Sequence, residues 1–401
     1  MRRLDPALLV VLGGVSAALH VGKLPTAVPV LRDSLGVTLL QAGFMLSLVQ
    51  LAGMGLGLAV GLAADGLGLK RTMVAGLLVL SVASLLGGWA QDPETLLLLR
   101  ALEGLGFLLA SMPAPSLIRR LVDPGRMTAA LGIWGAYMPF GTAVALLCGP
   151  FVMALYGWQG WWRLLAGVSG AVAFWLWLRL PPDWPHAPAA GGGGSNGWLQ
   201  RLRHTLSAPG PWLVALSFAV YSGQWLALIG FLPTVYASAG LAAGLAGAAT
   251  AFAALVNMGG NIASGRLLAR GISPHHLLYV GFIAMGVGGF LAFAPVWDAF
   301  DPAWAAGLRY AAVLMFSMVG GLIPGTLFTL AVQLAPGERT VSTTVGWMQQ
   351  WSSFGQFAGP PLVAFVATRT GGWEWSWLVT GGCAVAGLAL ARTTGGLLRS
   401  K

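Results

Sequence analysis

Apolar runs, each about as long as a membrane-crossing helix and divided by short polar or Pro- and Gly-containing breaks, recur along the chain from residue 7 to residue 392. An α-helix rises about 1.5 Å per residue, so about 20 apolar residues cross a hydrocarbon core of about 30 Å. Twelve stretches are long enough: 7–31, 41–64, 72–90, 94–118, 127–152 and 161–180, then 210–235, 242–265, 275–296, 305–333, 341–367 and 375–392. Many are rich in Gly and Ala, which let helices approach closely where no hydrophobic force acts between them. The pattern predicts an all-α membrane protein of twelve transmembrane helices in two six-helix halves, 1–181 and 209–401, joined by a linker at 182–208.

The halves are pseudo-symmetric. Gly22-Lys23-Leu24-Pro25-Thr26 recurs as Gly230-Phe231-Leu232-Pro233-Thr234, and Asp92-Pro93 with Leu99-Arg100 recurs as Asp301-Pro302 with Leu308-Arg309. Gly132 with Phe140-Gly141 matches Gly346 with Phe354-Gly355, and Trp158, Trp161 and Trp162 match Trp373, Trp375 and Trp377. A period of half the chain points to two fused halves and away from a solenoid of short repeats.

Composition agrees: 57% of the 401 residues are hydrophobic and 8% charged, where soluble domains carry about 25% charged residues. The formal net charge of +10 is spread over short loops and both tails, so it marks topology and not a nucleic-acid-binding face. Basic residues concentrate in cytoplasmic loops. Placing both termini inside the cytoplasmic membrane puts all of the 22 except Lys23, Arg32, Arg100, Arg163, Arg309 and Arg369 on that side. The first apolar run starts basic but continues to spanning length, and reads as a retained helix. Cys148 and Cys383 fall inside spans and are expected to be buried packing residues. Pro181 to Pro211, with Gly191-Gly192-Gly193-Gly194 at its centre, reads as a flexible cytoplasmic linker.

Charge inside a span costs about 2.5–3.5 kcal/mol, so each instance is a functional candidate. His20, Lys23, Arg100, Glu103 and Arg309 qualify. With His20 near mid-span, Lys23 lies about 6 Å and Glu103 about 4.5 Å toward the outside, which lets them pair. Arg100 and Glu103 share a helix face at i, i+3, so Glu103 is a candidate for sharing. Three cations against one carboxylate leave a surplus of two positive charges and favour an anionic ligand. Structural readings stand beside these: Arg309 snorkelling to the outer interface, Arg100 and Glu103 as a purely structural pair, His20 as a packed, hydrogen-bonded residue instead of a proton carrier. Neutral candidates are Gln50, Tyr137, Tyr221, Gln224, Asn257, Asn261, Gln349 and Gln350, for which hydrogen bonding between helices is the plain alternative. The Trp clusters are expected to form interfacial belts. There is no His-Glu-x-x-His, no paired aspartates within spans and no phosphate-binding Gly-x-x-x-x-Gly-Lys loop, so neither an enzyme, a resident metal, a cofactor nor direct ATP drive is expected.

Between spans two and three the chain reads Gly61-Leu62-Ala63-Ala64-Asp65-Gly66-Leu67-Gly68-Leu69-Lys70-Arg71. On a six-plus-six chain this resembles the signature of the major facilitator superfamily of secondary transporters, as does Arg100-Ala101-Leu102-Glu103-Gly104-Leu105-Gly106 in span four. The resemblance covers essentially the whole chain apart from linker and tails. It implies that fold, a cavity lined by spans one, four, seven and ten, and a cytoplasmic latch of Asp65, Lys70 and Arg71. Gly66 stands where the family usually has Arg, and the second-half loop Gly265-Arg266-Leu267-Leu268-Ala269-Arg270-Gly271 lacks the acid. A solvated turn that only fixes topology is the bland alternative. Pro115-Ser116-Leu117-Ile118-Arg119-Arg120, Gly132-Ile133-Trp134, Phe231-Leu232-Pro233 and Met348-Gln349 look like the cyanate and nitroimidazole transporter branch. Gly355-Gln356-Phe357-Ala358-Gly359-Pro360 resembles an element of proton-coupled exporters, but in span eleven instead of span five.

The expected function is secondary transport of a small anionic organic solute by alternating access, with proton coupling through His20 or Glu103. The expected partners are that solute and membrane lipid, with no nucleic acid, and the protein is read as a monomer. An exporter of amphipathic drugs is the alternative, suggested by the abundant aromatics and Met; a channel is a further class that a helical bundle fits.

Overall fold

The computed structural model describes residues 5–123, 130, 133–183 and 197–399, with the backbone alone at 60–67, 197, 198 and 339. Among the described residues all regular structure is helical. The first half contains α1 (Pro6–Leu35), α2 (Leu39–Leu48), α3 (Leu51–Leu67), α4 (Leu69–Gly87), α5 (Pro93–Ser111), α6 (Ala114–Leu121) and α7 (Tyr137–Arg179). The second contains α8 (Gly197–Ser207), α9 (Pro209–Ser238), α10 (Ala243–Ala269), α11 (Pro274–Phe293), α12 (Pro302–Gly320), α13 (Leu322–Gln333), α14 (Val341–Thr370) and α15 (Trp377–Arg399).

Each of the twelve expected spans has its helix. Span two is α2 plus α3, span four α5 plus α6, and span ten α12 plus α13. Spans five and six run together as α7, whose one non-helical residue is Gly157 at φ 67°, ψ 173°. That φ lies in the left-handed half of the map, which glycine enters without strain, so the two spans turn on one residue instead of a loop. Several helix starts carry side-chain caps. The Asp5 carboxylate accepts the Ala7 N–H at 3.0 Å ahead of α1, and Thr38 and Gln41 form a capping box on α2. At α5, Thr95 donates its backbone N–H to Asp92 Oδ1 at 2.7 Å and its hydroxyl to Oδ2 at 2.8 Å. These bonds, the backbone one foremost, hold the Asp92 carboxyl below its ordinary range.

The chain divides into two compact units, Met1–Gly192 with Phe231–Ala251, and Gly193–Gly230 with Phe252–Lys401. In the first, α1 packs along α7, and α4 packs on α5 and α7. A Cβ on Gly22 would stand 2.6 Å from the Thr142 carbonyl oxygen, so the smallest side chain sets how closely α1 approaches α7. In the second unit α11 packs on α12 and α15. There Gly355 and Gly359 of α14 lie against the backbone of Ala219 and Gly223 in α9, too close for any Cβ. The exporter-like Gly-x-x-x-Gly-Pro sequence thus serves a helix crossing, and both halves join their first and fifth spans through small residues.

Three expectations are corrected. Cys148 is exposed on α7, because the short side chain falls on an outward face of the span, and Cys383 is half-buried. Trp158, Trp161 and Trp162 are each 2% exposed, so they are interior residues and not a belt; just after the Gly157 turn they point into the bundle. The linker is not irregular throughout: Gly197–Ser207 is helical, with Thr205 buried and Arg201, Arg203 and His204 exposed. Residues 184–196, the Gly run included, lie outside the described residues.

Candidate functional site

The charged residues of spans one and four converge inside the first unit. His20 and Lys23 of α1 have no exposed surface, and Glu103 and Arg100 of α5 retain 1% and 3%. Glu103 is shared: Lys23 Nζ donates to Oε1 and Arg100 Nη1 donates to Oε2 at 2.6 Å. Arg100 also ties three helices together, donating from Nη1 to the His20 carbonyl at 2.6 Å and from Nε to the Met45 carbonyl of α2 at 3.0 Å. Its Nη2 is buried without a protein acceptor. A narrow cleft beside the guanidinium is lined by Leu24, Met45, Leu96, Leu99, Glu103 and Trp162.

The surrounding helices supply neutral partners. Lys23 Nζ donates to Ser84 Oγ of α4 at 2.9 Å, and that hydroxyl donates on to the Trp162 carbonyl at 2.9 Å. The ammonium also sits 4.5 Å from the centroid of the Trp162 ring, whose π face favours a cation most when water is excluded. Trp161 Nε1 donates to the Lys23 carbonyl at 3.4 Å. His20 Nε2 is 2.7 Å from Ser169 Oγ of α7, which is 3.0 Å from Ser16 Oγ of α1. His20 Nδ1 lies 3.4 Å from Lys23 Nζ and 3.9 Å from Glu103 Oε1.

Arg309 does not join this group. It lies in the second turn of α12 and donates to Asp298 Oδ1 at 2.6 Å, where the two side chains are 36% and 61% exposed. The count of three cations against one carboxylate becomes two against one, leaving a surplus of one positive charge. Asp298 sits in the break before α12, where a count limited to spans does not reach.

A second polar group lies in the second unit. Asn257 of α10 donates from Nδ2 to Tyr221 Oη of α9 at 3.0 Å and to the Ser317 carbonyl of α12 at 2.8 Å. Asn261 donates to Asn257 Oδ1 at 3.1 Å, so the pair shares a helix face as its spacing implied. Gln224, one turn beyond Tyr221, is fully buried, and neither its Nε2 nor its Oε1 has a partner. A buried polar group left unpaired costs about 1–3 kcal/mol. Gln349 and Gln350 are half-buried on α14, and Gln350 Oε1 is unpaired; Tyr137 stacks on Trp134 with centroids 4.1 Å apart.

At the loop between spans two and three, Lys70 is buried and donates from Nζ to the Leu180 carbonyl at 2.7 Å. Asp183 accepts the backbone N–H groups of Lys70 at 2.8 Å and Arg71 at 3.1 Å, capping α4 from the end of α7. The Asp65 side chain lies outside what is described. Sequence reasoning missed Asp183, Ser84, Ser169, Ser16 and the inward Trp residues. The one available signal was the spacing of Ser16, His20 and Lys23, which puts all three on one face of span one. An isolated serine in an apolar span otherwise looks like one bonded to its own helix.

Comparisons with known proteins bear on this geometry. The profile described as Major Facilitator Superfamily matches residues 10–360. A puromycin resistance protein of Streptomyces alboniger is 37% identical over 158 residues, 39% of this chain and 31% of that protein, so the likeness spans about a third of that relative. The hexuronate transporter of Bacillus subtilis is 22% identical over 97% of this chain and 94% of its own. The cyanate transport protein of Escherichia coli is 24% identical over 77% of this chain and 74% of its own. Among solved structures, a bacterial homologue of the human lysosomal transporter Spinster superposes with a TM-score of 0.79 at 16% identity, covering 97% of this chain and 96% of that one, which bears on the fold alone.

Proposed function

The chain belongs to the Major Facilitator Superfamily, and we propose that it is a secondary transporter that carries a small organic anion together with a proton, by alternating access of its halves in the cytoplasmic membrane with both termini inside. The observation that carries this reading is the single carboxylate held between two cations. With Glu103 ionised, Lys23 and Arg100 are compensated except for one positive charge. A proton on Glu103 removes that compensation and leaves two cations in a water-poor interior, where a substrate carboxylate takes over the compensation Glu103 gave, again except for one positive charge. Proton and anion thus stabilise each other's binding, which is what coupling requires.

Arg100 is the anchor in this reading, since its Nη2 is the donor not already engaged. Within the second unit, Tyr221, Gln224, Asn257 and Asn261 are the candidate hydrogen-bonding groups, and the unpaired Gln224 amide has both a donor and an acceptor to offer. Lys70 and Arg71, tied to Leu180 and Asp183, act as a cytoplasmic clasp within the first half. Arg309, engaged by Asp298, is left out of the site. The relatives whose likeness runs through most of the chain support an anion, because hexuronate and cyanate both carry negative charge.

A second reading, an exporter of amphipathic drugs, has in its favour the higher but shorter likeness to the puromycin resistance protein. A thermal-shift screen of the purified protein against glucuronate, short monocarboxylates, cyanate and puromycin separates the two. The anion reading expects stabilisation by an organic anion that Arg100→Ala abolishes while leaving the protein folded. Stabilisation by puromycin alone, or an anion effect indifferent to Arg100, would sink it.

A further inference from the structure

We propose that His20, Ser169 and Ser16 form a proton path leading from Glu103 toward the N-terminal end of α1, and that this path is how the transported proton leaves the charge cluster. The proposal rests on the reading of Glu103 as the proton site. Its geometry is a continuous run of buried groups within hydrogen-bond reach: Lys23 Nζ to His20 Nδ1 at 3.4 Å, His20 Nε2 to Ser169 Oγ at 2.7 Å, and Ser169 Oγ to Ser16 Oγ at 3.0 Å. His20, Ser169 and Ser16 are at most 2% exposed, and Ser16 lies about 6 Å nearer the start of α1 than His20.

The Lys23 ammonium sets the direction at the His20 ring, while the Ser169–Ser16 bond can run either way. Nδ1 faces the Lys23 ammonium and therefore accepts, so Nε2 carries the ring hydrogen and donates to Ser169 Oγ. The charged groups facing the ring are Lys23 on its own helix and Glu103 and Arg100 from α5, while α7 contributes the neutral Ser169. When protonated Glu103 gives up its proton, the Lys23 ammonium hands one of its own protons to Nδ1 and takes the Glu103 proton in its place, and Nε2 releases its hydrogen to Ser169 Oγ. Ser169 passes its hydroxyl proton to Ser16, and Ser16 passes its own to a water molecule, the acceptor the path requires at its end. Each serine gains one proton and loses one, the carboxyl ends as a carboxylate, and the imidazole ends as the other neutral tautomer. Ring rotation or a return exchange then resets it.

The test is hydrogen–deuterium exchange at the His20 ring, followed by nitrogen-detected NMR of histidine-labelled full-length protein in nanodiscs, with His20→Asn identifying the signal. Breaking the path with Ser169→Ala is expected to slow this exchange about tenfold or more, and Ser169→Thr, which keeps the hydroxyl, to restore it. Unchanged or faster exchange in Ser169→Ala overturns the proposal, and so does a slowing that Ser169→Thr does not reverse. The readout needs no substrate. Failure of the parent reading shows separately, as wild-type proteoliposomes in which no organic anion moves a proton.

Discussion

Lys23, Arg100, Glu103 and His20 were legible as a cluster because charge within an apolar span is costly and has to find a partner, and i, i+3 spacing already put Arg100 beside Glu103. Arg309 was misweighed because its partner, Asp298, stands outside any span. Ser84, Ser169, Trp161 and Trp162 were not legible, since what they do depends on which helices meet. Gln224 yields a two-sided prediction at this scale. As a buried amide with no partner it destabilises the empty protein, so Gln224→Leu is expected to raise the melting temperature without ligand. The same change is expected to weaken anion binding about fivefold or more, from the loss of about 1 kcal/mol of hydrogen bonding. Calorimetry with paired melting curves checks both arms; a lower melting temperature with undiminished affinity contradicts the assignment.

The twelve spans could be read from hydropathy, but not where they break or join. Gly157 replaced an expected loop because one left-handed residue suffices to turn α7 between its two spans. The linker helix escaped notice because its half-buried positions, Leu202 and Leu206, lie in a short basic stretch beside the Gly run. Small residues at the α9–α14 crossing are the device that lets these elements approach, and this is open to test. Gly359→Leu inserts a side chain where the Gly223 backbone already lies, and is expected to cost about 1–3 kcal/mol or to force the helices apart. Gly382→Leu on α15, where a Cβ meets nothing within 4 Å, is the matched control and is expected to be neutral. Melting curves in detergent report both; equal melting temperatures for the two variants would show that the crossing is not held by its glycines.

For the molecule as a whole, the scaffold is duplicated and the charge is not. Lys23 corresponds to Phe231 in the repeat, and Glu103 has no acidic counterpart. The charged cluster lies in the first unit and the neutral polar group of Tyr221, Asn257 and Asn261 in the second. In the proposed transport cycle anion and proton travel together because both answer to Glu103. The most direct measurement records labelled glucuronate uptake and external pH at once, in proteoliposomes with an imposed pH gradient. The account predicts accumulation that follows the gradient and alkalinisation of the medium as the anion enters. With Glu103→Gln it predicts anion exchange without accumulation or proton movement. Accumulation that ignores the gradient, or proton movement that survives Glu103→Gln, would contradict it.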